Sequence, residues 1–326
     1  MGCVWALARS ACVLGLVLGV SVLPGTASAQ SKFPNHPVTL IIPAPPGGPT
    51  DTGSRILAEG LARVLGVPVV PQGRPGAGTV VGSAAVARAA PDGYTIGGLV
   101  NAGITSPFAL NRDVPYKVED LAPIGIVGLD ATVITVRADG PAKSLQDVIA
   151  DAKAHPKTLS YGAAGVGSMG WVAMEIVKAA SGADVQFVPY DGTAPVNTAV
   201  MSGDISLGSA GFQSTYPLIK AGKLRALAIT RSKRLAAIPD VPTVSEVAHV
   251  QPPSFWLGVF APAKTPKPVF NILVDALRRV MNEPTTIAQL EKAGFDVEYI
   301  APEQTRRIII EEIAAIKKIA SAAPQQ

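Results

Sequence analysis

Cysteine is nearly missing from this chain: Cys3 and Cys12 are its only two, and both lie near the N-terminus. If that segment is removed, the remaining chain can form neither disulfides nor thiolate metal sites, and its stability must come from its core. Histidine is scarce as well, with only His36, His155 and His249, and no His, Cys, Asp or Glu group has metal-ligand spacing, so no metal and no cofactor are expected. Aromatic residues make up 5% of the chain, and no Lys/Arg tract with interleaved aromatics is present, which argues against nucleic acid as a partner. After the N-terminal segment no apolar run reaches the length of a membrane span, so the processed protein is not expected to insert into a membrane.

What is present begins with residues 1–29, which read as a secretory signal. Arg9 supplies a thin positive region, Ala11 to Leu23 an apolar run, and Ala27-Ser28-Ala29 a small-residue cleavage site before Gln30. A retained N-terminal anchor is the alternative, but the apolar run is short for a span. Cys12 precedes this run, whereas a lipid-attachment cysteine should follow it. Residues 1–29 hold one arginine and no acid, so removing them leaves 27 basic against 24 acidic groups, a net charge of +3. Such a weak positive bias favours encounter with small anions. The 326 residues, 48% of them hydrophobic, suffice for about two domains.

Hydrophobic periodicity then alternates strands with helices. Val38 to Ile42 reads as a buried strand, and Thr52 to Leu65 as a helix with Leu57, Leu61, Val64 and Leu65 on one face and a Glu59–Arg63 pair outside. Strands at Val67 to Val70 and Tyr94 to Leu99, with a helix from Val80 to Ala89 between them, complete an order that needs parallel crossovers. Ile124 to Val127 and Ala131 to Val136 are further strands, and Ser144 with Asp147 resembles a capping box opening a helix to His155. The strand Leu159 to Tyr161, a glycine loop and a helix through Trp171 and Ala180 repeat the opening architecture, followed by strands at Val185 to Pro189, Asp204 to Leu207 and Ala226 to Ile229. A strand at Trp256 to Phe260 and helices at Pro268 to Met281, Ile287 to Lys292 and Pro302 to Ala320 close the chain. This order predicts an α/β protein of two lobes, with residues 30–130 and 253–326 expected to form the first and 131–252 the second. A ligand is expected in the crevice beyond the carboxyl ends of the strands.

The segment Leu40-Ile41-Ile42-Pro43-Ala44-Pro45-Pro46-Gly47-Gly48-Pro49-Thr50-Asp51 carries the clearest chemistry, because a strand runs through a Pro/Gly loop directly into a helix. The first N–H groups of a helix lack intrahelical acceptors, and its dipole places positive charge there, so a small carboxylate could bind. An ordinary tight turn, with Asp51 or Thr50 capping its own helix, explains the same residues. Two other patterns compete for attention. Gly165-Val166-Gly167-Ser168-Met169-Gly170 matches the dinucleotide fingerprint G-x-G-x-x-G literally, but lies in mid-chain. It also approaches the nucleophile elbow G-x-S-x-G, with Val166 where the first glycine belongs; a secreted serine hydrolase using Ser168, with His249 as base, would still need a third orienting group.

The export signal, P-A-P-P-G-G-P-T-D, G-R-P-G-A-G, A-A-P-D-G-Y-T, G-x-G-S, V-P-Y-D-G, A-G-K-L-R-A-L-A-I-T and P-D-V-P-T-V-S-E, in this order over residues 33 to 320, resemble the Bug-type (TctC-like) extracytoplasmic receptors of tripartite tricarboxylate transporters. The resemblance implies a two-lobed periplasmic-binding-protein fold, type II-like, each lobe a mostly parallel sheet flanked by helices. It implies a periplasmic monomer that closes on a small organic mono- or dicarboxylate and passes it to a membrane permease without catalysis. It places Ala44, Gly47, Gly48, Thr50 and Asp51 on one side of the ligand and Gly165, Val166, Gly167, Ser168, Tyr190 and Gly192 on the other, with Asn101, Ala102, Ala210, Gly211 and Phe212 as walls. A ligand-presenting receptor for a membrane sensor is a further alternative.

Asp51 is the awkward member of this set, since a carboxylate there would repel the ligand; its side chain is expected to cap the helix or loop instead. Three positions depart from the family pattern. Ala44 stands where relatives often have phenylalanine, Trp171 where histidine is usual, and Asp191 where a basic residue is usual. Trp171 either packs its helix against the sheet or stacks on an aromatic ligand, and Tyr190 either bonds the ligand or satisfies its hydroxyl within the lobe.

Overall fold

The computed structural model describes residues 33–322; the signal segment, its cleavage site and both cysteines lie outside the described residues. In chain order the elements are β1 Val38–Ile42, α1 Pro49–Leu65, β2 Val69–Gly73, α2 Val80–Ala87, β3 Thr95–Val100, α3 Asn101–Ile104, α4 Ser106–Ala109, β4 Leu121–Asp130 and β5 Thr132–Arg137. They continue with α5 Leu145–Ala154, β6 Ser160–Ala163, α6 Met169–Ser181, β7 Gln186–Pro189, α7 Thr193–Ser202, β8 Leu207–Gly211, α8 Phe212–Lys220 and β9 Leu224–Ile229. The last are α9 Val244–Ala248, β10 Phe255–Pro262, α10 Lys267–Val280, α11 Pro284–Lys292 and α12 Pro302–Ala322.

Two five-stranded mixed sheets organise these elements, in the orders β2-β1-β3-β10-β4 and β7-β6-β8-β5-β9. In the first, β1 runs parallel to β2 and β3, and only β10 is antiparallel to its neighbours β3 and β4. The second repeats the plan: β6 is parallel to β7 and β8, and β5 is antiparallel to β8 and β9. In each sheet the reversed strand is the one laid down just after the chain crosses from the other lobe. The result is a two-lobed α/β fold whose strand ends and helix starts gather along one crevice.

The local reasons follow the sequence closely. Leu57 and Leu61, one turn apart on α1, are fully buried under the first sheet. The helix stops at Gly66, whose left-handed backbone (φ 72°) returns its N–H to the carbonyl of Ala62 at 3.0 Å. The capping box at α5 forms as expected: Asp147 donates its N–H to Ser144 Oγ at 3.1 Å, and Ser144 its N–H to Asp147 Oδ2 at 3.0 Å. Thr243 and Glu246 build a second one at α9.

Three expectations need correction. Arg63 does not pair with Glu59; its Nη2 reaches Glu283 at 2.6 Å, because α11 docks beside α1 and offers a partner across the interface. The strand expected over Asp204 to Leu207 begins only at Leu207, since Asp204 accepts from Ser202 Oγ at 2.7 Å and holds a turn after α7. Helix α8 occupies a stretch for which no element was expected; it forms with Pro217 inside it and with Phe212 and Thr215 buried.

Helix α12 joins the lobes. Ile309 packs into the core of the first lobe with Trp256 and Phe260, while Ile316 enters the core of the second beside Val172 and Leu145. Among the described residues no helix is long and apolar enough to cross a membrane.

Candidate functional site

A cleft of ≈ 280 Å³ lies where the two lobes meet. Four helices bring their first residues to it: Pro49 and Thr50 from α1, Ser168, Met169 and Gly170 from α6, Thr193 from α7, and Gly211 and Ser214 from α8. Gly78, Thr79, Ala102 and Phe255 complete the side of the first lobe, and Ala131, Thr132, Ala164, Ser209 and Ala210 that of the second. Among the described residues lining it there is no lysine, arginine or histidine. The groups in this lining that can favour an anion are backbone N–H groups, helix dipoles and the hydroxyls of residues such as Thr50, Thr79, Thr193 and Ser214. A helix N-terminus typically contributes ~0.3–1 kcal/mol to binding a charge, and a charge-assisted hydrogen bond about 1.5–3 kcal/mol.

The loop from β1 to α1 is held by its own acid. Asp51 is buried, accepts the Gly47 N–H at 3.0 Å, and pairs with Arg55 Nε at 3.0 Å. Gly47 has a left-handed backbone (φ 85°), which favours glycine where the chain turns toward the helix. The Arg55 hydrogen bond, aided by Gly47, holds the Asp51 carboxyl below its usual range. Asp51 thus shapes the loop, as expected of it, and does not line the cleft.

Across the cleft, Ser168 caps α6 by accepting the Trp171 N–H at 3.2 Å. Gly170 allows α6 to approach β8 closely: a Cβ there would lie 2.0 Å from the carbonyl oxygen of Ser209, and Ser209 Oγ donates to the Gly170 carbonyl at 2.8 Å. The third glycine of the dinucleotide-like pattern is therefore a packing requirement of this helix and strand. Trp171 is buried in the core of the second lobe, which decides for packing over ligand stacking.

Of the residues singled out from sequence, Thr50, Ala102, Ser168, Ala210 and Gly211 line the cleft. Gly48 and Gly192 are the N-caps of α1 and α7, one residue outside the lining. Gly165, Val166 and Gly167 form the back of the β6–α6 loop; Gly167 and Val166 give their carbonyls to Ser106 Oγ (2.7 Å) and Arg112 Nη2 (2.8 Å). Ala44 packs against the first lobe's core, and Tyr190 against the second's beside Ile205. Phe212 is buried against Tyr216, with ring centroids 5.1 Å apart. Asn101 is buried and donates to the Ser254 carbonyl at 2.9 Å. Packing holds the Ala44, Tyr190 and Phe212 side chains, and hydrogen bonding that of Asn101, outside the cleft lining, while Val166 is exposed.

Sequence reasoning missed Asp130, the one acid in the lining. It ends β4 at the crossing into the second lobe and accepts the Ala131 N–H through Oδ1 at 2.7 Å. Burial pushes its carboxyl up to about 7, against the opposing pull of that N–H and of Arg231. The available signal was an acid interrupting the apolar stretch from Leu121 to Val136. Thr79, Thr193 and Phe255 were missed too; Thr79 and Thr193 directly follow the glycine motifs at residues 73–78 and 188–192, whereas no local motif marks Phe255.

Larger concavities of ≈ 590 and ≈ 640 Å³ lie beside Arg137 and Asp147 and beside Arg231 and Asp296. Neither is lined by the β1–α1 or β6–α6 loop, so volume does not locate the site.

Residues 54–323 match the model of the tripartite tricarboxylate transporter family receptor. The chain belongs to this family. It is 32% identical over 314 residues to protein BugT of Bordetella pertussis, with 94% of each chain covered. Among solved structures it is similar to MatC of Rhodopseudomonas palustris with bound malate, at 27% identity and a TM-score of 0.74, covering 88% of this chain and 100% of that one. A second R. palustris protein, solved with adipate, gives 27% identity and a TM-score of 0.78 over 89% of this chain and 97% of that one. Membership makes the chain a solute-binding receptor of two lobes. In this receptor the Ser168 hydroxyl serves as a helix cap, and among the described residues no histidine hydrogen-bonds to it.

Proposed function

We propose that the protein captures a small organic carboxylate between its two lobes and delivers it to a membrane permease of the tripartite tricarboxylate type. One observation carries this reading: four helix N-termini converge on a cleft whose lining has no basic side chain. Such a cleft can neutralise a carboxylate by hydrogen bonding and release it without breaking a buried ion pair. Malate and adipate, held by two similar proteins, belong to the same chemical class. The ligand contacts come from the first turns of α1, α6, α7 and α8, including Thr50, Ser168 and Gly211. Residues 30–130 with 253–326 and residues 131–252 act as the two closing bodies.

The protein works in the periplasm, exported by residues 1–29, and binds without turnover. Ser168 supports binding over hydrolysis, because its oxygen is already committed to capping α6. Thermal melts of the processed protein against a panel of mono- and dicarboxylates test the reading. Ligand at 100 times its dissociation constant adds about 2.7 kcal/mol, raising the melting temperature by several degrees. A panel in which no carboxylate shifts the melt would sink it.

A further inference from the structure

The cleft that four helix N-termini make attractive to anions also contains a buried carboxyl with no basic side chain beside it in the lining. That combination is unfavourable for a plain dicarboxylate. Asp130 Oδ1 is occupied by the Ala131 N–H, but among the described residues nothing donates to Oδ2. Oδ2 lies over the start of α8: a Cβ built on Gly211, the N-cap of that helix, would sit 3.6 Å from it. A ligand carboxylate drawn to this helix terminus would thus meet a second acceptor oxygen. The charged groups near Asp130 are Arg231, two residues past β9, and Asp296, which bonds Arg231 and pairs its backbone with Leu129; Lys233, Arg234 and Glu298 line the same neighbouring concavity. Arg231 Nη2 is engaged by Asp296, and its Nη1 is buried without a partner among the described residues. The arginine lines a separate concavity on the other side of Asp130 and not the cleft, so it tempers the acid's charge without supplying a donor to the ligand there.

We propose that Asp130 selects ligands that carry a hydrogen-bond donor, a hydroxyl or an ammonium, close to their carboxylate, its Oδ2 accepting that donor. The assignment rests on the carboxylate-receptor reading above. An ionised Asp130 repels an unsubstituted diacid unless one of the two takes up a proton, whereas a donor-bearing ligand satisfies Oδ2 directly. The near-neutral titration of this buried acid means that the choice is made within the ordinary working pH range.

The test is calorimetric titration of the processed protein at pH 8 with unsubstituted, 2-hydroxy and 2-amino forms of the three- to six-carbon carboxylic acids; succinate, malate and aspartate are the four-carbon set. The hydroxy or amino member is expected to bind about tenfold or more tightly than its unsubstituted counterpart, and which of the two does so identifies the donor. Asp130→Asn is expected to narrow the ratio to within about threefold, mainly by strengthening the unsubstituted acid. Asp130→Ser serves if the asparagine variant does not fold. Equal affinities within a set, or a ratio unchanged in the folded variant, overturn the proposal. If other carboxylates raise the melting temperature while none of these binds, the selectivity proposal alone fails; if no carboxylate acts, it fails together with the receptor reading.

Discussion

Ser106, in the first lobe, donates its hydroxyl to the carbonyl of Gly167, in the second, at 2.7 Å. Both groups are buried, so the bond is shielded from water, and it holds the back of the loop whose front residue, Ser168, lines the cleft. Removing the hydroxyl leaves that carbonyl without this partner. Ser106→Ala should lower stability by about 1–3 kcal/mol. Urea unfolding would report it as a lower midpoint with an unchanged slope. Ligand affinity should fall several-fold in the same variant, and an affinity that stayed at the wild-type value would show that the loop is positioned without this contact.

Asp51 organises the opposite loop. Asp51→Ala removes the acceptor for Gly47 and the acid in the first turn of α1, with an expected loss of ~1–2 kcal/mol. The ion pair with Arg55 adds little to this, because Arg55 is half-exposed. The folded-state carboxyl titrates below its unfolded value, so its stabilisation is present above roughly pH 4 and is lost as pH falls through the folded value. Melts of wild type and Asp51→Asn between neutral and strongly acid pH should therefore converge in acid.

Gly170→Ala tests the close approach of α6 to β8. The new methyl would meet the Ser209 carbonyl oxygen at 2.0 Å, and both contacting groups are backbone-anchored. The helix must shift, at a cost of about 3 kcal/mol or more. Gly48→Ala, where the nearest atom to a new Cβ is 4.0 Å away, provides the control and should change stability by less than about 1 kcal/mol.

Glu312 on α12 accepts the Trp256 indole N–H at 2.9 Å, and burial pushes its carboxyl up to about 8. Its Oε2 and the neighbouring Asn101 Oδ1 are buried acceptors without partners, an arrangement that a protonated Glu312 can relieve. The folded protein then holds a proton that the unfolded chain releases near its ordinary value of 4.5, so this group makes stability decline as pH rises from there to about 8. Asp130, also raised, contributes in the same direction up to about 7. Glu312→Gln keeps an acceptor for Trp256 and supplies a permanent donor, so its stability should exceed that of wild type at pH 9, by up to a few kcal/mol, and approach it near pH 5. Denaturant titrations at the two pH values would decide; a variant that lost the same stability at both would contradict the protonated acid.

Two of the loops that reach the cleft were legible because their signals are local. A strand followed by a glycine-rich loop and then a polar residue of the capping type announces a helix N-terminus, and two such junctions, at residues 43–51 and 162–168, are visible without any tertiary information. The side chains inside those junctions were harder to assign. Whether Tyr190 or Phe212 faces a ligand or a core depends on which sheet face its segment joins, and the two are packed against Ile205 and Tyr216 respectively. Asp130 was passed over for a related reason: an acid interrupting an apolar stretch acquires meaning only when the crossing between lobes buries it.

The sequence by itself determined most of the alternation of strands and helices, the positions of the glycine loops and the cap at Ser144, because periodicity, glycine conformations and capping act within a few residues. Only the tertiary structure decided that α1, α6, α7 and α8 open on one cleft and that the acid in its lining is Asp130. Those outcomes depend on long-range strand order and on burial, and the electrostatic environment of a carboxyl is set by what surrounds it in space.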